Sequence, residues 1–236
     1  MIEIVSHASG SSGNFYTISD GTTTVAIECG LPLKKIRQAM GFRVSGLAGV
    51  LLSHEHLDHS KAAGEVMKAG IYVYASHGTF TAIGLSGHRV KRIEAKKQFK
   101  LGTWTVMPFD VEHDAAEPLG FLLLNQAGEK LLFATDTYYI RYRFPGLTHI
   151  MVECNYSIQI LNENIAAGRV PASLKPRLLK SHFSLEHVKD FLLANDLSKV
   201  QEIWLLHLSS TNSNEEMFKR EIQALTGKVV YVAHER

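Results

Sequence analysis

Residues 48–59, AGVLLSHEHLDH, constrain the fold of this chain more than any other stretch. The run AGVLLS reads as a buried β-strand, and His54, His56, Asp58 and His59 follow it within six positions. Side chains at i and i+2 of a strand point to one side, so His54 and His56 at the strand's end can grip one ion. A helix from about residue 60 to residue 69, closed by Gly70, swings Asp58 and His59 toward a second position. Neutral imidazole and carboxylate suit Zn, Mn or Fe. Two such ions about 3.5 to 4 Å apart form the clamp used in phosphoester and peptide hydrolysis. A solvated polar loop has the same composition, but four ligand-type residues directly behind a buried strand argue against it.

The rest of the chain is ordered around that strand. IEIVS, FYTIS and TTTVAIEC, with the loop ASGSSGN and an Asp20-Gly21 turn between them, predict an antiparallel meander. LPLKKIRQAM reads as a helix with Pro32 at its start and Gly41 as its stop. IYVYAS is a further strand. TWTVMPFDVEH, LGFLLLN, EKLLFAT and HIMVEC follow as short strands, the middle two divided by an Ala127-Gly128 turn. After HIMVEC comes a helical, basic stretch over residues 157–180. A helix opened near Ser184, the strand EIWLLHLS, a helix over residues 214–225 and the strand KVVYVAH close the plan. A β-rich segment followed by an α-rich one, twice over, predicts an α/β (α+β) chain in which two sheets pack face to face with helices outside, a four-layer αββα sandwich. With no linker or low-complexity segment, residues 1–236 are expected to form a single domain.

Twenty-five basic and 23 acidic side chains leave a net charge of +2, so no global basic field advertises nucleic acid and any such binding is local. No 18-residue apolar run and no signal-like N-terminus occur, which predicts a cytoplasmic protein without a membrane partner. Cys29 and Cys154 each end an apolar run and are expected to be buried, reduced thiols. The basic stretch with Lys175, Arg177 and Lys180, and residues 88–97, are candidates to track a phosphate backbone, although charge runs more often form solvated faces.

HEHLDH resembles the H-x-H-x-D-H signature of the metallo-β-lactamase superfamily. That resemblance implies three further ligands from separate strand ends, which map to His113 in VEHDA, Asp136 in FATDT and His207 in LLHLS. It would place His54, His56 and His113 on one divalent ion, Asp58, His59 and His207 on the other, and Asp136 between them. Taken singly, His113 and His207 also fit hydrogen-bonded structural histidines, and Asp136 a cap. His7, His77, His88, His149, His187 and His234 are expected to be structural or exposed.

Four segments, HASGSSGN, SHEHLDH, EHDAAEPLGF, and SHFS with LLHLSSTNSNE, resemble the WalJ/YycJ-like branch of that superfamily. The resemblance implies kinship with tRNase Z and β-CASP nucleases, and a metal-dependent DNA exonuclease working from 5′ to 3′, with a hydroxide bridging two ions as nucleophile. Asp58 would orient that nucleophile, and His182 would contact the phosphate or protonate the leaving oxygen. Ser11, Ser12 and Asn14 of the small polar loop are expected to line the substrate site. The chain departs from the branch twice. Glu28 in IECG stands where an Asp-x-Gly is usual, and ECNYS replaces an Asn-His-Asp run. Two other readings stay open: a small-molecule hydrolase acting on a cyclic nucleotide, thioester or lactone, and a metal-stabilised module without turnover.

Overall fold

A computed structural model describes residues 1–234, which fold as two compact units. The first comprises Met1–Asp110, Ala115–Glu129 and His234; the second comprises Val111–Asp114 and Lys130–Ala233.

In the first unit, β1 (Glu3–Ala8), β2 (Phe15–Ser19) and β3 (Thr24–Ile27) form the expected antiparallel meander, with Ile4 paired to Ile18 and Ile18 to Val25. The β2–β3 turn is set by Asp20, whose Oδ1 accepts from the Thr22 and Thr23 amides at 3.0 and 2.8 Å. Helix α1 (Leu33–Ala39) leads to β4 (Leu47–Leu51), which lies parallel to β3. The chain continues through α2 (Leu57–Ser60), α3 (Ala63–Lys68), β5 (Val73–Ala75), α4 (His77–Ala82) and β6 (Val90–Arg92). Strands β1 to β6 make one six-stranded mixed sheet in chain order. Phe15, Ala26, Ile36, Val50, Leu52, Val66 and Phe80 pack into one buried core between this sheet and its helices. A second antiparallel set, β7 (Phe99–Leu101), β8 (Trp104–Asp110) and β9 (Leu119–Leu124), completes the unit. Trp104 is fully buried and its indole donates to the Thr23 carbonyl at 3.1 Å.

Two details differ from the sequence expectation. The helix expected over 60–69 begins at Leu57 and breaks around residue 62 into α2 and α3, because the chain at Cys29 competes for its backbone groups. The Cys29 amide donates to the His59 carbonyl at 2.8 Å, and the Ala62 amide donates to the Cys29 carbonyl at 2.9 Å. Strands β6 and β7 lie within or beside the basic cluster at 88–97. With almost no apolar period of their own, they are defined by backbone pairing rather than by side chains.

The second unit holds four strands in parallel, in the order β10 (Lys130–Ala134), β11 (His149–Glu153), β12 (Glu202–Leu206) and β13 (Val229–Val232). The near-continuous apolar character of LLFA and HIMV follows from burial on both faces. Helices α5 (Ile158–Ala166), α6 (Lys175–Ser181), α7 (Leu185–Leu193) and α8 (Glu215–Thr226) connect them. The side chains of Ser157, Ser184 and Asn214 accept from the first-turn amides of α5, α7 and α8. Gly227, with φ 66°, ends α8 in the left-handed conformation that favours glycine. The basic stretch 157–180 resolves into α5, a short 3-10 turn at Ala172–Leu174, and α6. Both cysteines are buried and free.

Candidate metal centre

Strand β4 ends at Leu51, so His54 and His56 sit on the loop behind it rather than on the strand, with His56 capping α2. Their rings still meet edge-on at 4.7 Å between centroids, and the His54 ring lies 4.2 Å from that of His59. Asp58 and His59 lie within α2; Asp58 Oδ2 is 3.4 Å from His59 Nε2, with His59 fully buried. The first unit therefore brings His54, His56, Asp58 and His59 together as the sequence implies.

Three contacts hold this turn from behind. Asn14 is fully buried; its backbone amide donates to the Asp58 carbonyl at 2.7 Å, and its Nδ2 reaches the same carbonyl at 3.2 Å and His59 Nε2 at 3.2 Å. Gly30 packs so closely that a Cβ there would stand 1.7 Å from the Asp58 carbonyl oxygen. Glu28, also fully buried, places Oε1 3.6 Å from His59 Nδ1 and accepts from the Ser53 amide through Oε2. Ser11 and Ser12 of the same small loop are exposed, whereas Asn14 faces inward onto the ligand turn.

In the second unit, ligand-type residues stand at three strand ends. Asp136 follows β10 and His207 follows β12, while Glu153 is the last residue of β11. Asp136 and His207 hold left-handed φ values of 45° and 52°, as Glu28 does at 65°. Non-glycine residues persist there only where the surroundings over-determine them, a mark of functional positions. His113 Nδ1 faces the Ser181 carbonyl at 2.9 Å, an acceptor that fixes the proton on Nδ1 and leaves the Nε2 lone pair 3.7 Å from Asp136 Oδ2. Burial pushes the His113 pKa down despite nearby Asp136, which favours the neutral ring that a metal ligand needs. His207 Nδ1 stands 3.2 Å from Asp136 Oδ1 and 3.3 Å from Glu153 Oε1.

His182 joins this cluster. Its Nδ1 lies 2.6 Å from Glu153 Oε1, and Asp136, Glu153, His182 and His207 offer ligand-type atoms all within 4.8 Å of one another. Burial works against the charged form of His182, but the Glu153 carboxylate and its hydrogen bond prevail and raise the pKa above the ordinary imidazole value. Burial likewise opposes ionised Glu153, and the charge of His182 outweighs it to hold the carboxyl below its usual range. Glu153 was not singled out from the sequence. Its signal was a lone acid closing the otherwise apolar run HIMVEC, and in the structure it accepts from the Thr137 and Phe183 amides as well. The donor set in each unit, imidazole with carboxylate and no thiolate, fits divalent zinc, manganese or iron.

A family model described as "Beta-lactamase superfamily domain" matches residues 24–158, and the chain belongs to that superfamily. It is 29% identical over 234 residues to exodeoxyribonuclease YycJ of Bacillus anthracis, covering 91% of this chain and 85% of the relative. It is 29% identical over 227 residues to exodeoxyribonuclease WalJ of Streptococcus pneumoniae, covering 89% and 82%. Among solved structures, the metallo-β-lactamase fold protein YhfI of Bacillus subtilis superposes with a TM-score of 0.76 at 13% identity, over 99% of this chain and 96% of that one. The fold expected from the sequence, two mixed sheets with helices in an αββα sandwich, is the fold of this protein. Among the described residues no helix is long and apolar enough to cross a membrane.

Proposed function

We propose that this protein is a metal-dependent phosphodiesterase that degrades DNA from 5′ ends. The observation that carries the reading is the pair formed by His182 and Glu153 beside Asp136 and His207. An imidazole whose charged form is favoured by a buried carboxylate is suited to give a proton, and the group that most needs one is a deoxyribose oxygen leaving from phosphorus. A thiolate departing from a thioester leaves unaided, so the pair favours the phosphodiester over that alternative. Relatives named exodeoxyribonucleases, aligned over about nine-tenths of the chain, support DNA as the substrate.

In this reading His54, His56 and His113 would hold one divalent ion and Asp58, His59 and His207 a second, with Asp136 available to both. Two ions bound there would lower the pKa of water toward neutrality and offset the negative charge that grows on the phosphate oxygens. Asp58 orients the attacking water. His182 donates from Nε2 to the leaving oxygen while Glu153 fixes the ring through Nδ1. Asn14 and Gly30 keep the Asp58–His59 turn in place, and the exposed Ser11 and Ser12 offer hydroxyls to the substrate.

The test is a nuclease assay on 5′-labelled and 3′-labelled single-stranded and duplex DNA with added Mn²⁺ or Zn²⁺, comparing wild type with His56→Ala and Asp136→Ala. Metal-dependent cleavage that starts at the 5′ end and is lost in both variants is the expected result. A protein that binds metal and hydrolyses small esters yet leaves all DNA intact would overturn it.

A further inference from the structure

A cleft of about 390 Å³ lies in the second unit between residues 139–143 and helix α7. That volume falls within the range of small-ligand pockets. One wall has no regular secondary structure and alternates: Ile140 and Phe144 are buried anchors, while Tyr139, Arg141 and Arg143 are exposed and line the cleft. Tyr139 is 56% exposed, an unusual position for a large ring. Phe191 lines the other side, its ring 6.3 Å from that of Phe183, and Asp190 projects from the same helix. Arg141 is ion-paired with Glu112, and Arg143 is the second cation of this wall.

Both walls are tied to the proposed proton donor. Glu153 Oε2 accepts from the Thr137 amide at 3.0 Å and the Phe183 amide at 3.1 Å, and Thr137 Oγ1 donates to the Tyr139 carbonyl at 2.9 Å. At its far end the loop is pinned by the Phe144 amide on Asn195 Oδ1 at 2.8 Å. Phe183, the residue after His182 in the chain, lines the cleft, which runs along α7.

We propose that this cleft binds an unpaired nucleobase of the DNA strand, with Tyr139 as stacking platform and Arg143 on the adjoining phosphate. The inference rests on the phosphodiesterase reading above and adds a substrate subsite to it. An exposed aromatic ring beside a cation is the combination that takes single-stranded nucleic acid, because every base offers a π-face and every linkage a charge. Asp190 suits the amino edge of a base and would repel a bare phosphate, which orients the nucleotide base-inward.

The experiment measures kcat/KM for a short 5′-phosphorylated single-stranded oligonucleotide and for bis(p-nitrophenyl) phosphate in wild type, Tyr139→Ala, Tyr139→Phe and Arg143→Ala. The oligonucleotide-to-ester ratio should fall on the order of tenfold in Tyr139→Ala, the scale of one lost base stack, and recover in Tyr139→Phe. In Arg143→Ala the ratio should also fall, and the salt dependence of the oligonucleotide KM should become shallower by about 0.7 in log–log slope. An unchanged ratio in Tyr139→Ala, or equal losses on both substrates, overturns the subsite while leaving the nuclease reading intact. A wild-type protein that turns over the ester and no oligonucleotide overturns the nuclease reading, and the subsite falls with it.

Discussion

Glu153 and His182 show how one buried carboxylate can set the chemistry of an imidazole nearly thirty residues away in sequence. If the pair delivers a proton, Glu153→Gln should lower kcat on DNA by about 10²-fold, with KM little changed. On bis(p-nitrophenyl) phosphate, whose leaving group needs no proton, the loss should be small. Equal losses on the two substrates would show that Glu153 acts through folding or metal retention rather than proton delivery, and a thermal melt with metal content of the variant separates the cases. His182 was visible in the sequence through the resemblance of SHFS, and the seven proposed ligands through strand ends and the HEHLDH signature. Glu153 was not, because its role depends on where α6 ends, and no local pattern in ECNYS reports that. Asn14 illustrates the reverse. The sequence marked it as lining the substrate site, while in the structure it is buried against the Asp58 carbonyl.

At the level of elements, the ligand turn is shaped by competition between helix and strand. The amide and carbonyl of Cys29 take the groups at His59 and Ala62 that an unbroken helix would otherwise use, and Gly30 allows the two segments to touch. Gly30→Ala forces a Cβ against backbone that has no flexible end to yield, so we expect a loss of about 1 to 3 kcal/mol or more, the cost of overpacking. The measurement is urea unfolding together with metal content after dialysis. Retained stability and full metal content would mean that the turn accommodates the methyl group. The meander, α1, the capped helices and the parallel strands of the second unit were readable from turn residues and apolar runs. The short strands β6 and β7 were not, since VKR and FKL carry charge where a strand signal needs alternation.

Across the whole molecule, a net charge of +2 gives little long-range attraction for a polyanion, so if DNA is the substrate its affinity comes from a few local contacts. The KM for single-stranded DNA should accordingly depend on salt with a log–log slope equivalent to only about two or three phosphates. A slope several times steeper, measured across a salt titration, would point to an extended basic track such as residues 88–97 or 169–180. Taken alone, the sequence determined most of the strand and helix order and the HEHLDH ligand candidates, because periodicity, turn chemistry and a dense histidine motif are local properties, and the resemblance it carries pointed to the superfamily and to His113, Asp136 and His207. Only the tertiary structure decided that Glu153 holds His182, that Asn14 and Gly30 brace the Asp58–His59 turn, and that Tyr139 and Arg143 line one cleft with Phe183 and α7. Each of these is a contact between residues distant in the chain, set by packing and backbone hydrogen bonds that no sequence interval encodes.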